Sequence, residues 1–216
     1  MIYYITSNSE LILDALGQHI LLALVPVVFG VVLALPLGYL AVRHRRLYYP
    51  LVNVSSLLYA VPSLALFMIL PAVLGTKVLS PVNIIVALTL YTMALLVRVV
   101  ADGLNSVDAT LTQAATAMGY RRLRRLFGVE LPIALPVMLA GLRVATVANI
   151  SIVSVGALIG VGGLGELFTN GLQLHYVDPI IVGIVLSVLL AGACDGIIVL
   201  VQRRFTPWSK AGGKTA

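Results

Sequence analysis

Five stretches of the chain, residues 20–42, 50–74, 78–101, 133–162 and 179–201, are apolar almost throughout and carry one charge each at most. Crossing roughly 30 Å of hydrocarbon takes about 20 such residues in a helix. The polar positions do not alternate along these runs, as a half-buried strand would require; they gather between them. The pattern predicts an all-α integral membrane protein with about five transmembrane helices. Pro81 marks the start of the third helix, where a missing N–H costs nothing. The segment before the first run is acidic (Glu10, Asp14) and no small-residue cleavage site follows, so that run reads as a span rather than a cleavable leader.

Composition agrees. Of 216 residues, 60% are hydrophobic and 10% charged, with mean hydropathy +1.07. A soluble domain is about 25% charged, and disorder needs low hydrophobicity, so both classes are excluded. The length suits one membrane domain over residues 1–216. The lone Cys194 excludes an intramolecular disulfide framework and a cysteine-based metal cluster. A net charge of +6 invites a nucleic-acid reading, but the charges sit between the spans without interleaved aromatics. Arg43, Arg45 and Arg46 follow span one, with His44 among them. Arg121, Arg122, Arg124 and Arg125 precede span four, and Arg203, Arg204, Lys210 and Lys214 follow span five. The alternate connections hold only Lys77 and, over residues 166–178, nothing basic. Short basic loops stay cytoplasmic, so the expected orientation is N-terminus outside and C-terminus cytoplasmic.

Pro26, Pro36, Pro62, Pro71 and Pro136 lie within or beside spans and free carbonyls that neighbours must satisfy. Gly156-x-x-x-Gly160 and Gly192-x-x-x-Gly196 are expected to allow close helix packing. The most informative segment is the cytoplasmic loop 102–132. Asp108 is placed to cap a helix through Ala109–Met118, with Leu111, Ala114, Ala115 and Met118 at helical spacing. Gly119 then ends it. A second helical stretch carries Leu123, Leu126 and Phe127 among four arginines, and Pro132 and Pro136 are expected to stop or kink the chain as it re-enters the membrane. Two short helices about a glycine, outside the bilayer, make either a docking element or an amphipathic pair on anionic lipid.

Gln113-Ala114-Ala115, three residues, Gly119, nine residues, then Val129-x-Leu131-Pro132 resembles the EAA loop of ABC-importer permeases. Gln113 stands where that motif has glutamate and Val129 where it has isoleucine; Gln113 keeps hydrogen-bonding capacity but not the charge. Ala60-Val61-Pro62-Ser63-Leu64-Ala65-Leu66, the approach through Arg98, Gly103-Leu104 and Val107-Asp108, Ala140-Gly141-Leu142-Arg143, Ile159–Gly165, Asp195 and Gln202–Pro207 are similar to the osmoprotectant (glycine betaine, choline, carnitine) permeases. The likeness runs from about residue 15 to 208. It implies a type I ABC importer transmembrane domain, like that of the methionine importer, in a multi-pass bacterial-type inner membrane. It implies two permease subunits, a second copy or a paralogue, on two ABC ATPase subunits, with an extracytoplasmic binding protein delivering the small solute. It places ATPase coupling at Gln113, Ala114, Ala115, Gly119, Arg121, Leu131 and Pro132.

Other motifs carry less. Gly160-x-Gly162-x-x-Gly165 spells a dinucleotide fingerprint but ends a membrane span instead of following a strand, so it reads as a tight extracellular turn. Gly213-Lys214-Thr215 echoes a phosphate loop with Trp208 where its first glycine should be. Neither is a nucleotide site, and no cofactor, metal or catalytic group is expected. Ionisable residues in a bilayer are functional candidates: Arg98 and Arg143 lie toward cytoplasmic ends, where they can also reach headgroups, and Asp195 can pair with either. Tyr59, Ser63, Tyr91 and Asn149 are candidate pore-lining residues. Few aromatics lie deep in the spans, so selection among quaternary ammonium solutes by cation–π contact is expected to rest mainly with the binding protein. An amino-acid importer is the alternative within the class. A gradient-driven transporter or channel is a weaker rival, since five spans show no internal repeat.

Overall fold

The computed structural model describes residues 1–208, and every regular element among them is helical. The helices are α1 (Ile2–Ser7), α2 (Ser9–Arg43), α3 (Arg45–Ala60), α4 (Ser63–Leu74), α5 (Pro81–Asn105), α6 (Ala109–Ala117), α7 (Arg122–Arg125), α8 (Leu131–Gly156), α9 (Gly165–Gln173) and α10 (Val177–Phe205). Lys210, Lys214 and the Gly213-Lys214-Thr215 run lie outside the described residues.

Four helices are long and apolar enough to cross a membrane; a fifth crossing exists if α3 and α4, bent by 103° about Val61–Pro62, count as one. The expected second span is thus a broken one. Pro62 offers no N–H to continue α3 and disfavours helical backbone at Val61, which is extended (ψ 133°). The break is not left unsatisfied: the Tyr91 hydroxyl on α5 donates to the Val61 carbonyl at 2.6 Å.

At α8 the chain does not stop. Helical structure runs from Arg122 to Ile159, passing through a π turn at Leu126–Glu130 immediately before Pro132. A proline ring crowds the carbonyl four residues back. The wider π turn makes room for it, and the helix continues through Pro136.

The centre of the bundle is α2 against α5. Gly30, Ala34, Gly38 and Ala41 form a buried ridge one turn apart along α2. A β-carbon at Gly38 would lie 2.5 Å from Val100 Cγ1, and one at Gly30 would collide with Thr92. Small residues let backbones approach where lipid offers no hydrophobic driving force. Of the two glycine pairs singled out from sequence, only the first makes such a contact, through Gly156. Gly156 does pack against Ile84, but Gly160 is a left-handed helix end (φ +79°), and the space around Gly192 and Gly196 is open. Phe67, Ile84, Leu88, Ile150 and Val153 complete the central apolar core.

The two ends of the bundle differ in charge. Arg43 at the end of α2 and Arg122 and Arg125 in the α6–α8 connection line one cavity with Tyr39 and Glu130, and α10 finishes with Arg203 and Arg204. At the opposite end Leu79 lies beside Gly160, and the residue 157–164 connection meets Gln18 and His19.

Candidate functional site

The loop at the basic end is built from its caps inward. Asp108 Oδ1 accepts the Thr110 N–H at 2.8 Å, and this bond holds the Asp108 carboxyl below the usual carboxylate range. At the other end of α6 the Gly119 N–H reaches the Thr116 carbonyl (3.0 Å) and the Tyr120 N–H the Ala115 carbonyl (3.1 Å). That paired closure is a Schellman motif, which needs a left-handed residue at its turn. Gly119 supplies it with φ +82°. Arg121 is extended and opens α7.

The loop leaves several large apolar side chains exposed among polar and charged ones. Leu111, Met118 (71% exposed), Leu123 and Phe127 (67%) project from it, with Gln113, Ala114, Gly119 and Arg121 exposed among them. Ala115 is turned inward and only 2% exposed; α6 lies on the π turn beneath, and a larger side chain there would lift it. Leu131 and half-buried Pro132 are roots rather than surface, Leu131 packing against the Val100, Leu104, Val107 and Leu126 cluster. Arg124 stacks over Tyr120, 4.8 Å from its ring centroid.

The three candidate ionisable residues of the spans, all 33% exposed or more in the single chain, are sorted by geometry. Arg143 on α8 and Asp195 on α10 form a two-pronged pair, Nε to Oδ1 at 2.6 Å and Nη2 to Oδ2 at 2.8 Å. Arg98 lies elsewhere, 3.7 Å from Asp102 one turn along α5. A carboxylate in hydrocarbon is tolerable when an arginine fork neutralises it with matched hydrogen bonds.

The candidate pore-lining residues divide. Tyr59, 42% exposed, meets Tyr91 edge-to-face at 5.9 Å, beside the break where Ser63 begins α4. Tyr91 and Asn149 are buried. Asn149 Nδ2 donates to Thr92 Oγ1 (2.9 Å) and the Ala23 carbonyl (3.3 Å), joining α8, α5 and α2.

A further polar node was not singled out from sequence. His19, wholly buried, has Nε2 3.0 Å from the Ile150 carbonyl, while Nδ1 accepts the Leu164 N–H at 3.1 Å. A carbonyl on one side and an N–H on the other fix the neutral tautomer protonated on Nε2. Gln18 Oε1 accepts the Gly163 N–H at 3.0 Å. The glycine-rich turn is thereby strapped to α2; Gly162 has no room for a β-carbon against Gln18. The only sequence signal was a His-containing pair at the edge of an uncharged run.

Comparison with known proteins places this arrangement. Residues 26–207 match the family described as binding-protein-dependent transport system inner membrane component. The osmoprotectant import permease protein OsmW of Salmonella typhimurium (strain LT2) is 34% identical, over 95% of this chain and 97% of its own. The glycine betaine/carnitine/choline transport system permease protein OpuCD of Bacillus subtilis (strain 168) is 31% identical, over 97% and 91%. Among solved structures, an inward-facing MetNI methionine ABC transporter aligns with a TM-score of 0.83 over 92% of this chain and 97% of that one, at 23% identity. The fold is therefore that of a type I ABC importer transmembrane domain. With a family match across most of its length and its spans, the chain belongs to the binding-protein-dependent transport system inner membrane components, as a permease subunit of an ABC importer.

Proposed function

We propose that this permease forms the translocation path for an osmoprotectant of the quaternary ammonium type, glycine betaine, choline or carnitine, and couples its movement to ATP hydrolysis in a separate ABC ATPase subunit. The observation that carries the reading is the exposed loop at the basic end. A doubly capped helix in a loop that leaves Leu111, Met118, Leu123 and Phe127 exposed is what a protein partner would bind. The residues offered to that partner are Gln113, Ala114, Gly119 and Arg121, with Ala115, Leu131 and Pro132 supporting them from beneath. The solute class follows from the names of the two relatives, each similar over nearly its whole length.

In this reading the basic end faces the cytoplasm, so the N-terminus is outside and the C-terminus inside. The glycine-rich turn strapped by Gln18 and His19 then faces the extracytoplasmic binding protein. Two permease subunits, identical or paralogous, enclose the path, with Tyr59, Ser63 and Tyr91 near the helix break beside it and Asn149 bracing the wall. A broken helix at membrane depth is tolerated where it lines a cavity. The Tyr59 ring offers a π face to a cationic head.

The test is uptake of radiolabelled glycine betaine, choline, carnitine and methionine by the complex reconstituted with its ATPase and binding protein. ATP-dependent accumulation of a quaternary ammonium solute is expected. Accumulation of methionine alone would move the substrate to the amino-acid class, and uptake without ATP would overturn the importer reading.

A further inference from the structure

Arg125 lies in none of the positions that the EAA-type pattern marks, yet it is where the loop is tied together. Its Nε donates to Glu130 Oε1 at 2.6 Å, and its Nη1 donates to Thr116 Oγ1 at 2.8 Å. Thr116 is on α6, the helix of the exposed patch; Glu130 closes the π turn that leads into α8. The Thr116 hydroxyl is held in turn by donating to the Thr112 carbonyl at 2.7 Å, leaving its oxygen free to accept. One guanidinium therefore bridges two elements whose covalent connection is the turn from Met118 to Arg121. Both ion-pair partners are largely shielded, at 27% and 16% side-chain exposure. Charge-assisted bonds in such a site are short and directional.

The chemistry of the fork matters. Two donors on one planar group reach two acceptors in fixed relation, which a lysine ammonium on a flexible stem does not reproduce. The tie also spans the one π turn among the described residues, at the root of the helix that carries Arg143 and Asn149. π turns recur at functional sites. Without the tie, α6 could swing about Gly119, and a displacement imposed on it would be absorbed in the turn.

We propose that Arg125 is a positioning residue for energy coupling: it makes α6, the π turn and α8 one rigid lever, so that movement of a bound ATPase subunit reaches the span. The proposal rests on the importer reading above.

The test has two arms. In the reconstituted complex with glycine betaine as probe, Arg125→Ala is expected to lower solute moved per ATP hydrolysed at least fivefold. ATPase subunit stoichiometry should be unchanged and the hydrolysis rate within twofold. Thr116→Val, which removes the acceptor on α6, should show a comparable loss, and the exchange Arg125→Glu with Glu130→Arg, which restores the ion pair but not the donor to Thr116, should recover little of it. In the second arm, needing no solute, spin labels replace exposed Ala117 on α6 and exposed Val144 on α8, in a background with Cys194→Ser. Their distance distribution should be narrow in the otherwise native permease and broad in Arg125→Ala. A narrow distribution in Arg125→Ala overturns the proposal, whether transport per ATP is normal or the ATPase subunit is lost, the latter making Arg125 a docking contact. If the native permease binds no ATPase at all, the importer reading fails, while the distance arm still decides whether Arg125 stiffens the loop.

Discussion

Gly119 is the residue at which loop geometry and partner contact can be separated by substitution. Its φ of +82° lies in the left-handed region, where an L-residue pays roughly 1–2 kcal/mol. A β-carbon there would meet nothing within 4 Å, so the chain itself adds no packing cost. If the free Gly119→Ala loop relaxes out of its closed form and an ATPase subunit binds only that form, the strain converts into lost affinity, about 5- to 30-fold at 1.4 kcal/mol per decade. Gly119→Ala should weaken ATPase association by that factor while leaving thermal unfolding of the permease nearly unchanged. Asparagine tolerates the left-handed region, so Gly119→Asn distinguishes the causes. It behaves nearly as glycine if backbone strain is what matters, and as poorly as alanine or worse if a partner fills the open space. Gly119→Val combines β-branching with added bulk and should bind least and uncouple hydrolysis from uptake. The assay is titration of the purified permease with its ATPase, followed by paired uptake and hydrolysis measurements. Wild-type affinity and coupling in the Gly119→Val complex would refute the reasoning and leave lipid contact as the loop's role.

Removing one member of the intramembrane pair strands the other, so Asp195→Leu should reduce uptake or complex yield with insertion intact, and Arg143→Leu combined with it should recover more than either change alone; normal uptake by Asp195→Leu would make the pair dispensable. In a Cys194→Ser background, His44→Cys should be shielded from an impermeant thiol reagent in intact cells and Asn170→Cys labelled, and the reverse pattern would invert the orientation. Gly38→Ala puts a β-carbon against Val100 and should destabilise by about 1–3 kcal/mol of overpacking, read as a lower melting temperature, with Gly192→Ala in open space as the silent control. The Asp108 cap has a depressed carboxyl pKa, so its contribution to α6 is present above the ordinary aspartate range and is lost as pH falls through its lowered value. Amide exchange over residues 109–112 should quicken there relative to Asp108→Asn, whose side chain caps without titrating.

How much was legible in the chain depended on whether the signal was local. The charge-free runs, their number and the grouping of arginines between them are sums over neighbouring residues, and the bilayer reads those sums directly. The Asp108 cap and the Gly119 turn were equally legible, since each is decided within four or five residues by side-chain reach and backbone φ. What only the tertiary structure decided depends on rotation and depth about separate helix axes. Asp195 had two arginines within plausible reach, and the facing of α10 on α8 chose Arg143 over Arg98. The Gly30-Ala34-Gly38-Ala41 ridge is no more conspicuous in sequence than Gly192-x-x-x-Gly196, yet the first meets α5 and the second meets open space, because spacing along one helix does not say which face a neighbour will cover. The break at Pro62 was visible as a proline, but neither its 103° bend nor the Tyr91 hydroxyl, thirty residues away, that donates to the Val61 carbonyl could be read from it. His19 and Gln18 became a strap, and Arg125 a bridge, only once distant backbone arrived at hydrogen-bonding distance. Hydropathy determined what must lie in the membrane; the pairing of buried polar groups, each of which had to find its complement inside the bundle, determined how the helices sit against one another.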